Sequence, residues 1–202
     1  PPAGETKSRS KTIVIMVAVL ILLLLLFLLR GCLAIPLVME PFEESAEGWL
    51  VAGDAQAGSD EPLFSPEGGN PGGYVAAKDD AVGGVWYWAA PEPFLEKFAA
   101  GCQSRNLGGL SLVFDLTSTK IEKPFESPDV IVSDGKTELI YFHRRLPDLE
   151  WTRFRIPLKT EGWINKTQQD AATDEEMAQV FQNLTKLWIR GEFNTGPDSG
   201  KF

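Results

Sequence analysis

Residues Gly83–Gly101 read GGVWYWAAPEPFLEKFAAG, and the fold turns on how that string is taken. Trp86, Tyr87 and Trp88 stand side by side, and Pro91 and Pro93 follow at once. Three consecutive aromatic residues form either an exposed platform for a ligand or one strand of a core. Side chains alternate across a strand, so Trp86 and Trp88 share one face while Val85, Tyr87 and Ala89 share the other. Aromatic residues favour strands, and proline ends them. A strand over 85–90 is therefore expected, closed by the two prolines, with Phe94, Leu95 and Phe98 pinning the turn that follows.

Short strands of the same kind recur on either side. In LSLVFDL, Leu110, Leu112, Phe114 and Leu116 fall on one face. Residues 129–133 and 137–142 form a hairpin, because Ser133-Asp134-Gly135-Lys136 between them carries an Asp-Gly turn signal. In WTRFRIPL, Trp151, Arg153 and Arg155 share one face and Thr152, Phe154 and Ile156 the other. Residues 53–73 are rich in glycine and proline and are expected to be loop. One helix is well signalled. Thr173 as N-cap and Glu176 three residues later make a capping box, and Met177, Val180, Phe181 and Leu184 then recur on one side. Residues 186–193 return to strand. Many short strands with one or two brief helices predict an all-β sandwich.

The N-terminal part is of another kind. Thr12 to Leu29 is apolar throughout, without charge or breaker, and spans roughly the hydrocarbon thickness of a bilayer as a helix. Lys7, Arg9 and Lys11 precede it, which by the positive-inside rule places the N-terminus in the cytoplasm and everything after Arg30 outside. The alternative is a lipoprotein signal, since Cys32 follows Gly31 just past the apolar run, but Arg30 is foreign to such signals. The expected layout is a cytoplasmic tail or linker at 1–11, a transmembrane helix at 12–30, a connector at 31–40 and the sandwich at 41–202. The chain opens on Pro1 and is read as trimmed or as a piece of something longer.

Charge and chemistry exclude several functions. The formal charge is −9, and the first thirty residues hold four cations and one acid, so the remainder carries −12. A domain that acidic is repelled by phosphate backbones, which makes nucleic acid a poor partner and favours neutral or cationic ones. The 2 cysteines, Cys32 and Cys102, make neither a disulfide framework nor a zinc site. The 1 histidine, His143, lies beside Arg144 and Arg145 and lacks an orienting carboxylate. Asp79/Asp80 and Glu43/Glu44 are read as solvated acidic loops rather than as a catalytic pair. No catalytic residue is assigned and no cofactor is expected, although Asp54, Asp60 and Asp198 offer hard oxygen ligands for a structural calcium ion. Asn165-Lys166-Thr167 and Asn183-Leu184-Thr185 fit the glycosylation sequon.

VWYWAAPEPFLEKFAAG followed by NLGGLSLVFDL resembles the laminin B domain, also called laminin IV, through Tyr87, Trp88, Ala90, Pro91, Phe94, Leu95, Gly108, Gly109 and Leu110. FEESAEGW from Phe42, DVIV from Asp129, the stretch from Trp151 to Leu158 with Gly162-Trp163, and the closing LTKLWIRGEF follow in the family's order. The resemblance implies a jelly-roll-like β-sandwich in extracellular, non-enzymatic architecture, similar to that of carbohydrate-binding modules. Two departures stand out: the cysteine-rich modules that flank the laminin domain are missing, and the chain stops near where the family's last strand should begin. Tyr87 and Trp88 match the family's packing positions; Trp86 does not, and is the one aromatic expected to face a ligand.

The resulting expectation is a single-pass membrane protein displaying a recognition or adhesion module for matrix, glycan or protein, without catalysis. The rival readings are a sensor domain of a transmembrane, kinase-like receptor and a binding accessory to an enzyme beyond Phe202. The orientation is testable on intact cells: added protease should remove the chain after Arg30 and leave the tail, and protection of the C-terminal domain would reverse the assignment.

Overall fold

The computed structural model describes Met16 and residues 38–53, 60–79, 84–119 and 121–202. Two units are distinct, residues 1–37 and 38–202. The expected membrane span lies outside the described residues apart from Met16. Among the described residues no helix is long and apolar enough to cross a membrane.

Residues 38–202 build two antiparallel sheets. The strands are β1 (Leu50–Gly53), β2 (Leu63–Ser65), β3 (Tyr74–Lys78), β4 (Trp86–Ala89), β5 (Ser111–Ser118), β6 (Val130–Ser133), β7 (Glu138–Tyr141), β8 (Thr152–Pro157), β9 (Trp163–Asn165), β10 (Lys186–Arg190) and β11 (Ser199–Lys201). One sheet has the order β1-β4-β10-β6-β7-β9 and the other β2-β3-β11-β5-β8. Their inner faces share one core, as expected of a β-sandwich. The predicted strands at 85–90, 110–116, 129–133, 137–142 and 151–158 are all present, and their facing residues alternate as the period of two requires. The predicted hairpin joins β6 and β7. Gly135 adopts the φ of +87° that its turn needs, and Asp134 Oδ1 accepts the backbone N–H groups of Lys136 and Thr137.

Two helices complete the domain. The stretch after the aromatic strand was expected to be a turn; it is helix α1 (Glu92–Gln103). Pro91 caps it and Pro93 lies in its first turn, where an N–H has no intrahelical partner and proline's fixed φ suits the helix. Phe94, Leu95, Ala99 and Cys102 then bury one side. Burial pushes the Cys102 thiol up to about 11, so it is an inert core group. Helix α2 (Asp174–Gln182) carries the predicted capping box: Thr173 Oγ1 accepts from the Glu176 N–H at 3.2 Å, and Glu176 Oε2 accepts from the Thr173 N–H at 2.8 Å. Met177, Val180 and Phe181 are buried, as the spacing predicts.

The close of the sandwich differs from expectation. Ser199–Lys201, read as the place where the last strand is cut short, is a strand between β3 and β5. Phe202 beyond it exchanges backbone hydrogen bonds with Val75, and its ring lies against Trp88 and Trp49. Residues 63–65, placed in a long loop, form the edge strand beside β3.

Trp86 is the sharpest correction. It was expected to be the exposed aromatic, and it is 0% exposed. Its ring packs edge-on against Trp88, and its indole N–H donates to Asp198 Oδ1 at 3.3 Å. Its backbone N–H donates to Glu192 Oε2 at 3.3 Å. Tyr87 faces the other way, stacked on Trp188 above Ile131 and Ile140 on the outer face of the six-stranded sheet. The alternation was read correctly; which face is solvated is set by the second sheet, which covers both tryptophans. Gly191 is forced by the same packing, because a Cβ there would overlap the Trp86 ring.

Asp79, Glu192 and Asp198 are also buried. Asp79 was expected in a solvated loop; instead its backbone N–H donates to the Asp198 carbonyl. Burial, and then the charges of Asp79 and Asp198, push Glu192 up to about 7. Burial also raises Asp198, against the hydrogen bonds from the Phe193 N–H and the Trp86 indole.

Two outcomes follow for stability. Trp86→Ala should cost as much as Trp88→Ala, about 3–5 kcal/mol each in urea unfolding, and a small loss for Trp86 alone would place its ring outside the core. Because the folded-state pKa of Glu192 lies above its unfolded value, the folded domain holds the proton more tightly, and this residue's contribution to stability falls as pH rises from about 4.5 to about 7. Glu192→Gln keeps an acceptor for the Trp86 N–H without the charge. Relative to the parent it should gain on the order of 2 kcal/mol between pH 4.5 and pH 8; parallel pH profiles would show that Glu192 does not titrate in this range.

Candidate recognition face

In the five-stranded sheet the inward positions are mostly apolar, and the outward positions form a broad exposed surface. On β5 the inward residues are Leu112, Phe114 and Leu116, leaving Val113, Asp115 and Thr117 outward. On β8 the inward residues are Thr152, Phe154 and Ile156, leaving Arg153 and Arg155 outward. Tyr74 and Lys78 on β3 and Lys201 on β11 complete the face.

The register puts polar groups opposite one another: Asp115 faces Arg153, and Val113 faces Arg155. The first pair is bidentate. Arg153 Nε donates to Asp115 Oδ1 at 3.1 Å, and Arg153 Nη2 donates to Oδ2 at 2.8 Å. Hydrogen bonding to Asp115, and then its charge, holds the guanidinium even above its ordinary range. Just before β8, half-buried Trp151 meets half-buried Tyr74 edge to face, with ring centroids 6.0 Å apart. Lys201 Nζ lies 4.6 Å from the Tyr74 ring centroid on the same face.

A loop borders this surface. The chain between β2 and β3 reaches over to β8, where the Gly68 carbonyl accepts the Trp151 indole N–H at 3.1 Å and the Asn70 carbonyl accepts from Arg153 Nη2 at 3.4 Å. These bonds fix the Trp151 ring and the Arg153 fork before any ligand arrives. The aromatic and guanidinium surfaces, the carboxylate and exposed Val113 can together hold a flat ligand with apolar and hydroxyl edges. The sequence places Trp151, Arg153 and Arg155 on one strand face but does not link them to Tyr74, which stands just past the glycine- and proline-rich stretch 53–73 and carries no strand signal of its own there.

The remaining candidates fall elsewhere. Trp86 is in the core. His143 packs edge-on against Phe154, and its Nδ1 accepts the Arg145 backbone N–H. Of the carboxylates considered for calcium, Asp54 lies outside the described residues, Asp60 is exposed with its carbonyl accepting from the Val51 N–H, and Asp198 is bound to Trp86 and Phe193. Among the described residues no group of three His, Cys, Asp or Glu side chains is arranged to hold a metal ion. Asn165 is buried, its amide donating to Glu176 and accepting from Thr167 and Gln168, whereas Asn183 is exposed at the end of α2.

An open cleft of about 560 Å³ lies at the edge of the other sheet, lined in part by Lys136, Lys166 and Lys186. Burial pushes Glu138 at its floor up, but hydrogen bonds from Lys166 and Lys186 outweigh this and hold it below the ordinary carboxylate range. Two of the three lysines are thereby spent on one internal carboxylate.

Comparison with known proteins agrees with this architecture. A family model described as Laminin B (Domain IV) matches residues 87–201. Among solved structures, the L4b domain of human laminin alpha-2 is similar with a TM-score of 0.55 at 15% identity, covering 77% of this chain and 89% of that one. The family 11 carbohydrate-binding module of the cellulosomal cellulase Lic26A-Cel5E of Clostridium thermocellum reaches a TM-score of 0.46 at 15% identity, covering 81% and 89%. No curated protein matches. With the family model spanning more than half of its length, the chain belongs to the laminin B (domain IV) family.

Proposed function

We propose that this chain is a membrane-anchored, extracytoplasmic recognition module whose jelly-roll-like sandwich binds a glycan on the outer face of its five-stranded sheet and catalyses no reaction. The observation that carries the reading is the pairing of half-exposed Tyr74 and Trp151 with the bidentate Asp115–Arg153 bridge on one flat strand surface. A sugar ring has apolar C–H faces and a rim of hydroxyls. The faces bury against aromatic rings, and adjacent hydroxyls fit a carboxylate that accepts beside a guanidinium that donates. Strand-borne groups hold such a constellation more rigidly than a loop would.

Membership of the laminin B family supports a binding role, and the apolar run from Thr12 to Leu29 supports the anchor. The non-catalytic reading draws on the surroundings of His143, whose Nδ1 is taken up by a backbone N–H.

The test is a glycan and matrix-protein array beside a hydrolase panel, run on one preparation of the full chain. Binding should be present and should fall at least tenfold in Tyr74→Ala and Trp151→Ala, with no turnover. Turnover abolished by replacing one specific carboxylate would overturn the non-enzymatic reading, and undiminished glycan binding by both variants would move the site off this face.

A further inference from the structure

The outward positions of the five-stranded sheet are charged in the opposite sense to the domain that carries them. Lys78, Arg153, Arg155 and Lys201 point outward from their strands, and Asp115 is the one acid among these outward strand positions. The Asp115–Arg153 bridge takes up one of these cations, and the charge available to a ligand is that of Arg155 and Lys201. The residues from Gly31 onward sum to −12, so acids are concentrated elsewhere on the domain. Arg155 has no ion-pair partner among the described residues and stands opposite exposed Val113, with its guanidinium open to solvent. Lys201 is exposed as well, in contact with the Tyr74 ring rather than with a carboxylate.

We infer that the glycan held on this face is an acidic polysaccharide, with one carboxylate or sulfate group seated at Arg155 and another at Lys201, at opposite ends of the face, while a sugar ring lies on Tyr74 and Trp151. This rests on the proposed glycan-binding role of the face. The charge pattern does two things for such a ligand. A cationic surface on an otherwise anionic domain orients an approaching polyanion toward the one face and repels it from the others. Once docked, an arginine free of an internal partner can offer both arms of its fork to a carboxylate or sulfate without first breaking a salt bridge. Lys201 adds a point charge beside the ring that supports the sugar. A protein partner carrying acidic side chains would meet the same charges but would leave the rigid, planar Tyr74–Trp151 and Asp115–Arg153 surfaces without a matching use.

The experiment titrates the full chain, in a nonionic detergent, with heparin as the sulfated probe, polygalacturonate as the carboxylated probe and a neutral cello-oligosaccharide. Each is measured at low and high salt. The variants are Arg155→Gln and Lys201→Gln, which remove charge at exposed positions, and Trp151→Ala, which removes the ring; near-ultraviolet circular dichroism checks that each keeps its tertiary packing. At least one acidic probe should bind more than tenfold tighter than the neutral one, weaken with salt, and lose about five- to tenfold in each charge variant. Equal binding of acidic and neutral probes, unaffected by either charge variant but lost in Trp151→Ala, would overturn the acidic ligand while leaving a glycan site on this face. Binding of no glycan, or glycan binding indifferent to all three variants, would overturn both. A nucleic acid or acidic protein bound in preference to every glycan would likewise count against both.

Discussion

Both sheets depend on the way Trp86 is tied into the chain that connects them. Its carbonyl accepts from the Gly191 N–H, its own N–H donates to Glu192, and its indole donates to Asp198. Residues 191–198 run from β10 in the larger sheet to β11 in the smaller one, so one residue of β4 binds both ends of the crossover. The ring occupies the space that Gly191 leaves empty, and it approaches Gly200 of β11. β11 in turn sits between β3 and β5, at the centre of the sheet that presents the recognition face. A change that loosened Trp86 would therefore be felt as misplacement of Lys201 and Tyr74 on the opposite side of that sheet.

The same arrangement accounts for an otherwise costly feature. Two carboxylates that hydrogen-bond Trp86 must be buried with it, close to a third, and burial of like charges raises their proton affinity. Of the other two buried charges, Asp129 and Arg190, which pair at 3.5 Å, Arg190 is handled differently. It is stacked between Phe125 and Phe193 and donates to the carbonyls of Phe125, Ser127 and Glu192. Those carbonyls satisfy the guanidinium while it fixes the segment before β6. The acids tie the crossover to β4, and the arginine ties the preceding loop to β10.

Net charge and local charge separate in this domain. The sum of −12 is a property of composition and argues for neutral or cationic partners. The strand register gathers Lys78, the Arg153 and Arg155 pair, and Lys201 on one face, although these three places are far apart in the chain. A partner meets a face within a Debye length, not the sum over the domain. Composition points away from the anionic ligand proposed for this face.

What the sequence determined by itself was whatever rests on short-range periodicity and turn chemistry. The alternation through Val85–Ala90, the Asp134-Gly135 hairpin, the Thr173–Glu176 capping box and the buried side of α2 were all legible there, because each is fixed by neighbours within a few residues. Helix α1 was legible in principle, since Phe94, Leu95, Phe98, Ala99 and Cys102 keep a helical spacing, but its prolines were read as ending a strand rather than beginning a helix. Only the tertiary structure decided which aromatics are buried. An alternating strand says that Trp86 and Tyr87 face apart, and the second sheet decides which face it covers. It also decided that Ser199–Lys201 is a strand, since serine, glycine and lysine carry little strand preference and pair there because β3 and β5 offer two open edges. The candidate recognition face belongs to the same class, because Tyr74, Asp115 and Lys201 join Trp151, Arg153 and Arg155 only when four strands distant in sequence, β3, β11, β5 and β8, are set side by side.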